Sequence, residues 1–284
     1  MVQSVSYEQD LVYNSKITDS LLVMGTEDME EFEKARADTT KKIIGTHSDY
    51  FHCDEVLATT MLLYTDAYKS SVIVRTRQED VFDRVDILCD VGGVYDPAKQ
   101  KYDHHQKTFT ETWNNEQSDI TKLSSAGLVF RHFGKEVITN AIKEIWNTQL
   151  EPEMLEKVYQ ETYKKLILEV DALDNGVSCA DDMLYSVKTG LGSRVGRYNT
   201  NWNAPKSTSQ HEQFKKAMKV CEEELLWALK GTVMVKVPAY GIVKKAFEDR
   251  KNFHASGEIM QMEGGACPWK EHLLDLEADA GCKG

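Results

Sequence analysis

The stretch Lys42-Ile43-Ile44-Gly45-Thr46-His47 decides the fold, because it predicts a short buried strand that ends at Gly45-Thr46 and is followed by a histidine. The next segment, from Asp54 to Tyr64, has the i, i+4, i+7 apolar spacing of one helix face. Apolar, β-branched segments over residues 71–75 and 85–91 predict two more strands. Strand, helix and strand with continuous apolar strands predict an α/β fold, a parallel sheet with helices on both faces.

The remainder of the chain predicts a second, smaller α+β unit. Helices are expected over residues 123–133 and 153–173, the latter ending at Asn175-Gly176. Beyond residue 185 a Gly- and Asn-rich connection leads to a helix over residues 210–229, a strand over 232–237 and a helix over 242–250.

These elements predict three parts of the chain. Residues 1–40 contain nine acids and three bases and are expected to form a disordered arm. Residues 41–185 form the predicted metal-binding catalytic domain. Residues 186–284 form a linker and a partial C-terminal substrate-binding domain.

Composition predicts an intracellular protein that does not act at a membrane. No apolar run approaches the roughly 20 residues of a membrane span, and the first residues lack the pattern of a secretory signal. The six cysteines are scattered without a Cys-x-x-Cys pair, so reduced thiols are expected. The net charge of −12 argues against a broad nucleic-acid-binding face, although bound metals can supply positive charge to a phosphate substrate.

Four short segments supply clustered metal-ligand side chains, and three of the four lie at predicted strand ends or loops of one sheet. Each residue alone has a common structural role, as a turn, a cap or a hydrogen-bonded histidine; their clustering predicts a metal site. Mixed imidazole and carboxylate ligands favour Mn²⁺ over Mg²⁺, and the carboxylate excess makes a zinc site with Cys53 the weaker choice. Two metals would suit phosphoester hydrolysis. The candidate ligands are His47, His52, Asp54, Asp90, Asp103, His104, His105, Asp171 and Asp174.

Other polar residues are candidates for holding the substrate. Arginines at a strand end and in the Gly-rich connection can fork onto phosphates, and two serines that open a helix can present backbone N–H groups to an anion. Solvated arginines and plain helix capping are equally good explanations. The candidates are Arg75, Arg77, Ser124, Ser125, Arg194, Arg197, Lys270 and His272.

Nine motifs in this order resemble the DHH phosphoesterase superfamily and, more closely, its melanocyte-proliferating-gene (Myg) exonuclease branch. They cover about residues 42–276. The motifs are Ile44-Gly45-Thr46-His47, Phe51-His52-Cys53-Asp54-Glu55, Val74-Arg75-Thr76-Arg77, Cys89-Asp90-Val91-Gly92-Gly93, Tyr95-Asp96-Pro97, Tyr102-Asp103-His104-His105-Gln106, Lys122-Leu123-Ser124-Ser125-Ala126-Gly127, Glu169-Val170-Asp171-Ala172-Leu173-Asp174-Asn175-Gly176 and Gly265-Ala266-Cys267-Pro268-Trp269-Lys270-Glu271-His272.

The resemblance implies a two-metal centre and a role for each ligand. One ion would be held by His47, His52 and Asp90. The other would be held by Asp54, Asp90, His104 and Asp171, with Asp174 the alternative that spacing leaves open. His105 would face the scissile phosphate, and Asp103 would orient the histidines.

The resemblance further implies a Mn²⁺-dependent 3′-to-5′ RNA exonuclease. A small-molecule phosphohydrolase acting on pyrophosphate or a short dinucleotide is the first alternative, and a non-catalytic, metal-stabilised nucleic-acid-binding protein is the second. Nucleus and cytoplasm are the expected compartments, with the mitochondrion added by the resemblance. Because family members continue beyond the last motif, we expect the family's C-terminal end to be lacking.

Overall fold

A computed structural model of the chain describes residues 11–27, 29–116, 118–264 and 266–281. The chain divides into two compact units, one over Val12–Leu226 and one that includes the residues from Trp227 onward. The first unit contains the sheet and every predicted metal ligand. The predicted division at residue 185 stays a prediction.

The described residues of the first unit contain one mostly parallel six-stranded sheet, which confirms the predicted α/β class. Its strand order is β1-β3-β2-β4-β6-β5, and every neighbouring pair is parallel except β5 and β6. The strands are β1 (Val23–Gly25), β2 (Ile43–Thr46), β3 (Val72–Arg75), β4 (Ile87–Cys89), β5 (Tyr95–Asp96) and β6 (Lys101–Tyr102).

The register of the sheet brings three strand ends level. Gly45 of β2 pairs with Leu88 of β4, and Cys89 of β4 pairs with Tyr102 of β6. The residues that follow these strands therefore leave the same edge of the sheet side by side, at the carboxyl ends where open α/β sheets bind ligands.

Helices cover the sheet and build the second unit. Every residue of α2 is buried, and α2 packs against α4. The α-helices are α1 (Met29–Ala37), α2 (Cys53–Leu62), α3 (Glu79–Phe82), α4 (Ser125–Trp146), α5 (Pro152–Thr162), α6 (Leu168–Asp174), α7 (Leu191–Gly196), α8 (Gln210–Gly231), α9 (Val237–Phe253) and α10 (Lys270–Asp279). Among the described residues, no helix combines the length and the apolar character that crossing a bilayer requires.

The helix predicted over residues 153–173 is interrupted. A π-helical turn, Tyr163–Ile167, lies between α5 and α6 and shifts the register of the side chains that follow. The helix ends as predicted, with Asn175 as its C-cap and Gly176 at a φ of 70°.

Three sequence-based predictions are wrong where the chain is described. The disordered arm over residues 1–40 is contradicted where the chain is described, because Val23–Gly25 pairs with β3 and is followed by α1; residues 1–10 lie outside the described residues. The strand expected over residues 232–237 is a π-helical turn, Thr232–Lys236, that continues into α9. Consequently no strand occurs among the described residues from 186 onward, and the α+β class predicted for that part of the chain is wrong.

Candidate metal centre

The predicted ligands gather where the central strands end. His47 follows β2, Asp90 follows β4, and Asp103 follows β6. Asp54 lies in the first turn of α2, whose N-cap is His52. Asp90 has a left-handed φ of 57°, a conformation that aspartate tolerates better than most residues and that is enriched at functional sites.

His47 lies between two carboxylates. Its Nε2 is 3.0 Å from Glu55 Oε1 and 3.4 Å from Asp90 Oδ2, and the side chain is buried. Its Nδ1 is 2.8 Å from the carbonyl oxygen of Ser48, which can only accept a hydrogen bond. At 2.8 Å this carbonyl lies nearer to Nδ1 than Arg77 Nη2 does at 3.2 Å, so it favours a proton on Nδ1 of the neutral imidazole and leaves Nε2 available to a metal.

His104 lies in a second group of carboxylates. Its Nε2 is 2.9 Å from Asp174 Oδ2, 3.6 Å from Asp90 Oδ1 and 4.0 Å from Asp54 Oδ2. Asp90 therefore contacts both histidines and joins the two groups. A bridging carboxylate at this position would place one oxygen toward each group.

The nitrogen and oxygen atoms of both groups are arranged as metal ligands and form few hydrogen bonds with one another. Both carboxylate oxygens of Asp54 are buried without a hydrogen-bond partner among the described residues. His104 Nε2 is also buried, and its contact with Asp174 Oδ2 at 2.9 Å lacks the geometry of a hydrogen bond. Ligand atoms that occupy adjacent octahedral positions around a small divalent ion lie about 3 Å apart, close to the shortest separations in both groups. The described residues form three clusters able to hold an ion: His47, His52, Glu55 and Asp90; Asp90, His104 and His105; and Asp54, His104 and Asp174.

The pKa values of the buried histidines and of Asp54 are raised in the metal-free centre. Burial disfavours protonation of His47, but the Asp90 and Glu55 carboxylates raise its pKa to about 10. At His104, burial likewise disfavours protonation, but the Asp174 and Asp90 carboxylates raise its pKa to about 9. Burial and the neighbouring Asp90 and Asp174 carboxylates raise the pKa of Asp54 well above its usual value. Protons thus compensate the charge of the metal-free centre, and a metal ion must displace them to bind.

His105 and Asp103 form a separate pair at the edge of the centre. His105 Nδ1 lies 2.7 Å from Asp103 Oδ1, while the other oxygen of Asp103 accepts the backbone N–H of Gly93. The hydrogen bond to Asp103 raises the pKa of His105. The His105 side chain is 62% exposed, so its second nitrogen, Nε2, remains available to a ligand in the cleft.

Asp171 and Asp174 have different surroundings. Asp174 Oδ2 contacts His104, whereas Asp171 is fully buried and accepts hydrogen bonds from the Ser124 backbone N–H, the Ser124 hydroxyl and the Tyr163 hydroxyl. Burial raises the pKa of Asp171 to about 7 in spite of these donors. The placement favours Asp174 over the preferred Asp171 as the ligand from this motif.

The serine pair that opens α4 is occupied by protein contacts. Ser124 donates to Asp171, and the Ser125 hydroxyl donates to Asp90 Oδ1 at 3.0 Å. Both serines are fully buried. This placement gives them a role in positioning carboxylates and leaves no exposed anion site on their side chains.

Arg75 supports the site from beneath. It is 1% exposed, and its guanidinium lies against the rings of Phe51 and Phe214, 5.4 and 4.6 Å from their centroids. Its Nη2 donates to the Asp49 carbonyl oxygen at 2.7 Å. Burial lowers the pKa of Arg75 to about 10. Arg75 therefore holds the loop that carries His47 and His52, and its burial argues against the predicted contact with substrate.

Asn199 fixes the same loop from another side. Its amide accepts from the backbone N–H of Phe51 at 2.9 Å and donates to the Phe51 carbonyl oxygen at 2.7 Å. Residues 48–52 are thus held at Asp49 by Arg75 and at Phe51 by Asn199. The loop backbone is therefore fixed by side-chain hydrogen bonds.

The other predicted substrate residues are dispersed. Arg77 lies 3.6 Å from Asp49 Oδ2 through Nε and 3.2 Å from His47 Nδ1 through Nη2. Arg194 pairs with Glu224 at 2.7 Å, and Arg197 donates to the Lys188 carbonyl oxygen. Lys270 and His272 belong to α10 of the second unit. Their predicted roles stay predictions.

The centre opens into a cleft of about 810 Å³. The residues at or beside the site that are missing from the sequence-based set include Glu55, Tyr50, Lys107 and Lys122. Glu55 had a local signal, because it stands three residues after His52 and completes a capping box by accepting its backbone N–H. Lys122 opens one of the nine motifs but was given no role there, and Lys107 and Tyr50 had no signal beyond their proximity to motifs.

Comparison with known proteins agrees with this picture. The model of a family described as an uncharacterised protein family (UPF0160) matches residues 43–284. A MYG1 protein of Caenorhabditis elegans is 40% identical over 240 residues, which cover 84% of this chain and 69% of the relative. The MYG1 exonuclease of Homo sapiens is 41% identical over 240 residues, covering 83% of this chain and 62% of the relative. The chain thus spans less than two thirds of the human protein's length, and no solved structure matches it significantly.

Proposed function

Because the chain belongs to the uncharacterised protein family UPF0160, which includes proteins named MYG1 exonuclease, we propose that it is a divalent-metal-dependent exonuclease. The observation that carries the proposal is the buried, unbonded pair of oxygens on Asp54 beside His104, Asp90 and Asp174. A buried carboxyl without a hydrogen-bond partner is unfavourable in a folded protein unless it binds a cation. We extend the proposal to membership of the DHH phosphoesterase superfamily.

The contacts support a set of ligands for each of two ions. We assign His47, His52, Glu55 and Asp90 to one ion, and Asp54, Asp90, His104 and Asp174 to the other, with manganese favoured by the mixture of imidazole and carboxylate. Bound divalent ions would polarise the phosphoryl group and lower the pKa of an attacking water. This set differs from the one implied by resemblance in adding Glu55 and in replacing Asp171 with Asp174.

The remaining groups act on the substrate directly. His105, oriented by Asp103, can donate a proton from Nε2 to a phosphate oxygen or to the leaving oxygen as the phosphodiester bond breaks. The hydrogen bond to Asp103 raises the pKa of His105, which favours the protonated form that this role requires. Ser125 holds one oxygen of Asp90 and so leaves the other toward His47.

The finer parts of the proposal are RNA as substrate and 3′-to-5′ direction. The net charge of −12 favours the alternative of a small substrate, pyrophosphate or a dinucleotide, because a long polyanion is repelled at a distance. The two are separated by incubating the protein, stripped of metal and reloaded with Mn²⁺, Mg²⁺ or Zn²⁺, with 5′-labelled single-stranded RNA, a dinucleotide and pyrophosphate. A 3′-to-5′ exonuclease shortens the labelled RNA progressively from its 3′ end. RNA left intact while the dinucleotide is cleaved would establish the alternative.

The metal requirement has its own test. Asp90→Asn and Asp174→Asn should lower both metal content and hydrolysis, the latter by at least about a hundredfold. Asp181→Asn, which removes an exposed loop carboxylate, is the matched control and should change neither. Unchanged metal content and activity in Asp90→Asn would refute the two-metal centre.

A further inference from the structure

We propose that the cleft binds a single-stranded polynucleotide through Lys107 and Lys122, which hold its phosphates, and Tyr50, which stacks on a base. This inference rests on the proposed function and names the groups that would recognise its substrate. It adds residues that the motifs did not assign to that task.

The two lysines are the cations that the cleft leaves free. Both line the cleft together with His105 and Asp174, and both are exposed. Among the described residues, neither ammonium has an ion-pair or hydrogen-bond partner, whereas Arg194 is paired with Glu224 and Arg75 is buried. An unpaired cation beside a metal centre can contact a phosphate without first breaking a contact within the protein.

Both lysines lie close in sequence to residues of the proposed centre. Lys107 is two residues after His105, the proposed proton donor, and Lys122 is two residues before Ser124 at the start of α4. The Lys122 backbone is fixed by Asn175, whose side-chain amide donates to its carbonyl oxygen at 3.0 Å. Asn175 is adjacent to Asp174, so the base of the lysine side chain is anchored beside a proposed metal ligand.

Tyr50 supplies an aromatic surface on the same cleft. It is 59% exposed, and its ring lies 6.2 Å from the ring of His52 at an angle of 53°. The residues on either side of it, Asp49 and Phe51, are held by Arg75 and Asn199. An exposed aromatic ring on a fixed backbone is the usual platform for a base of a single strand.

Together these groups favour a polynucleotide over pyrophosphate. Two phosphates without a base would need the lysines and the metals but not the tyrosine. The cleft, at about 810 Å³, is also within the range that accepts ligands much larger than a phosphate pair. Since the chain as a whole is acidic, attraction of the strand has to come from local contacts of this kind.

The test measures binding without hydrolysis. A fluorescent, hydrolysis-resistant phosphorothioate oligoribonucleotide is titrated with the Mn²⁺-loaded protein by anisotropy at several salt concentrations. For single strands, log Kd changes with log salt by about 0.7 for each phosphate neutralised. Lys107→Gln and Lys122→Gln should therefore each reduce this slope by about 0.7. Tyr50→Leu should raise Kd about tenfold and leave the slope unchanged.

Two controls separate these roles from general effects. Lys206→Gln removes an exposed lysine from a turn outside the cleft and should keep the wild-type slope. Lys107→Arg retains the positive charge and should have the wild-type salt slope.

The experiment can contradict the binding inference and the proposed function separately. If the wild-type protein cleaves RNA but the lysine variants keep its salt slope, the lysine sites are wrong and the proposed function stands. If the wild-type protein cleaves no phosphodiester yet the slopes change as expected, the binding inference stands and the proposed function fails. An oligonucleotide that does not bind, or binds more weakly than pyrophosphate, overturns the inference.

Discussion

Replacing Asp171 with asparagine should stabilise the metal-free protein at neutral and alkaline pH but not at acidic pH. Asp171 is fully buried, and burial raises the pKa of its carboxyl from 3.8 to about 7. A carboxyl that binds its proton more tightly in the folded state makes stability fall as pH rises above about 4, and the fall is complete above about pH 7. At about 1.4 kcal/mol for each tenfold change in proton affinity, the whole effect is about 4 kcal/mol.

Asparagine carries no charge and so removes this pH dependence. Its oxygen can still accept from Ser124, and its amide can donate to the hydroxyl of Tyr163. Between about pH 5.5 and about pH 8, roughly half of the effect, about 2 kcal/mol, falls inside the accessible range. Urea unfolding of both proteins in a chelator, followed across this range, measures the difference.

The expected result is a difference in unfolding free energy that grows with pH in favour of Asp171→Asn. Asp181→Asn should show no such growth. Asp171→Asn should also keep the wild-type metal content, which Asp174→Asn should lose. Parallel pH curves for the wild type and Asp171→Asn would refute the argument from burial, and loss of metal in Asp171→Asn would restore Asp171 as the ligand.

Three further changes test other parts of the site. His105→Gln should lower kcat by about 10²- to 10⁴-fold at unchanged metal content, and a fall of less than threefold would exclude it as proton donor. Asn199→Ala leaves the Phe51 backbone unbonded and should cost about 1–3 kcal/mol in urea unfolding, together with weaker metal binding; unchanged metal affinity would contradict its role in holding the loop. Gly127→Ala places a methyl group 2.4 Å from the position of Asp171 Oδ1 and should destabilise the protein by about 1–3 kcal/mol. The control Gly241→Ala, at a position with open space around it, should stabilise α9. A Gly127→Ala protein as stable as the wild type would show that the Asp171 carboxylate can move.

The edge of the sheet that carries the site was predictable from the sequence. The strands before His47 and Asp90 are short and apolar, and parallel pairing brings their ends together without any knowledge of the helices. The two-residue strand before Asp103, Lys101–Tyr102, was not predicted. The ligand chemistry then follows from residue type alone. For this reason the predicted sheet and the grouping of His47, Asp90 and His104 agree with the structure.

The rest depended on contacts that local patterns do not contain. Nothing in Val74-Arg75-Thr76-Arg77 distinguishes the buried Arg75 from the exposed Arg77, because the difference lies in Phe51 and Phe214 far along the chain. A π-helical turn has no period of its own, so the choice between Asp171 and Asp174 could not be made. The β-branched run at residues 232–237 resembles a strand, yet each such residue lowers helix stability by only a few tenths of a kcal/mol, which helix packing easily exceeds.

The left-handed backbone at Asp90 restricts which amino acids position 90 can accept. The residue must supply a carboxylate between two histidines and also adopt a φ of 57°, which glutamate and most other side chains adopt only at a cost of about 1 kcal/mol or more. Asparagine shares the backbone tolerance and glycine exceeds it, but neither has the charge. Aspartate alone meets both requirements, so a saturation library at position 90 selected for stability should enrich glycine and asparagine, and one selected for activity should return aspartate.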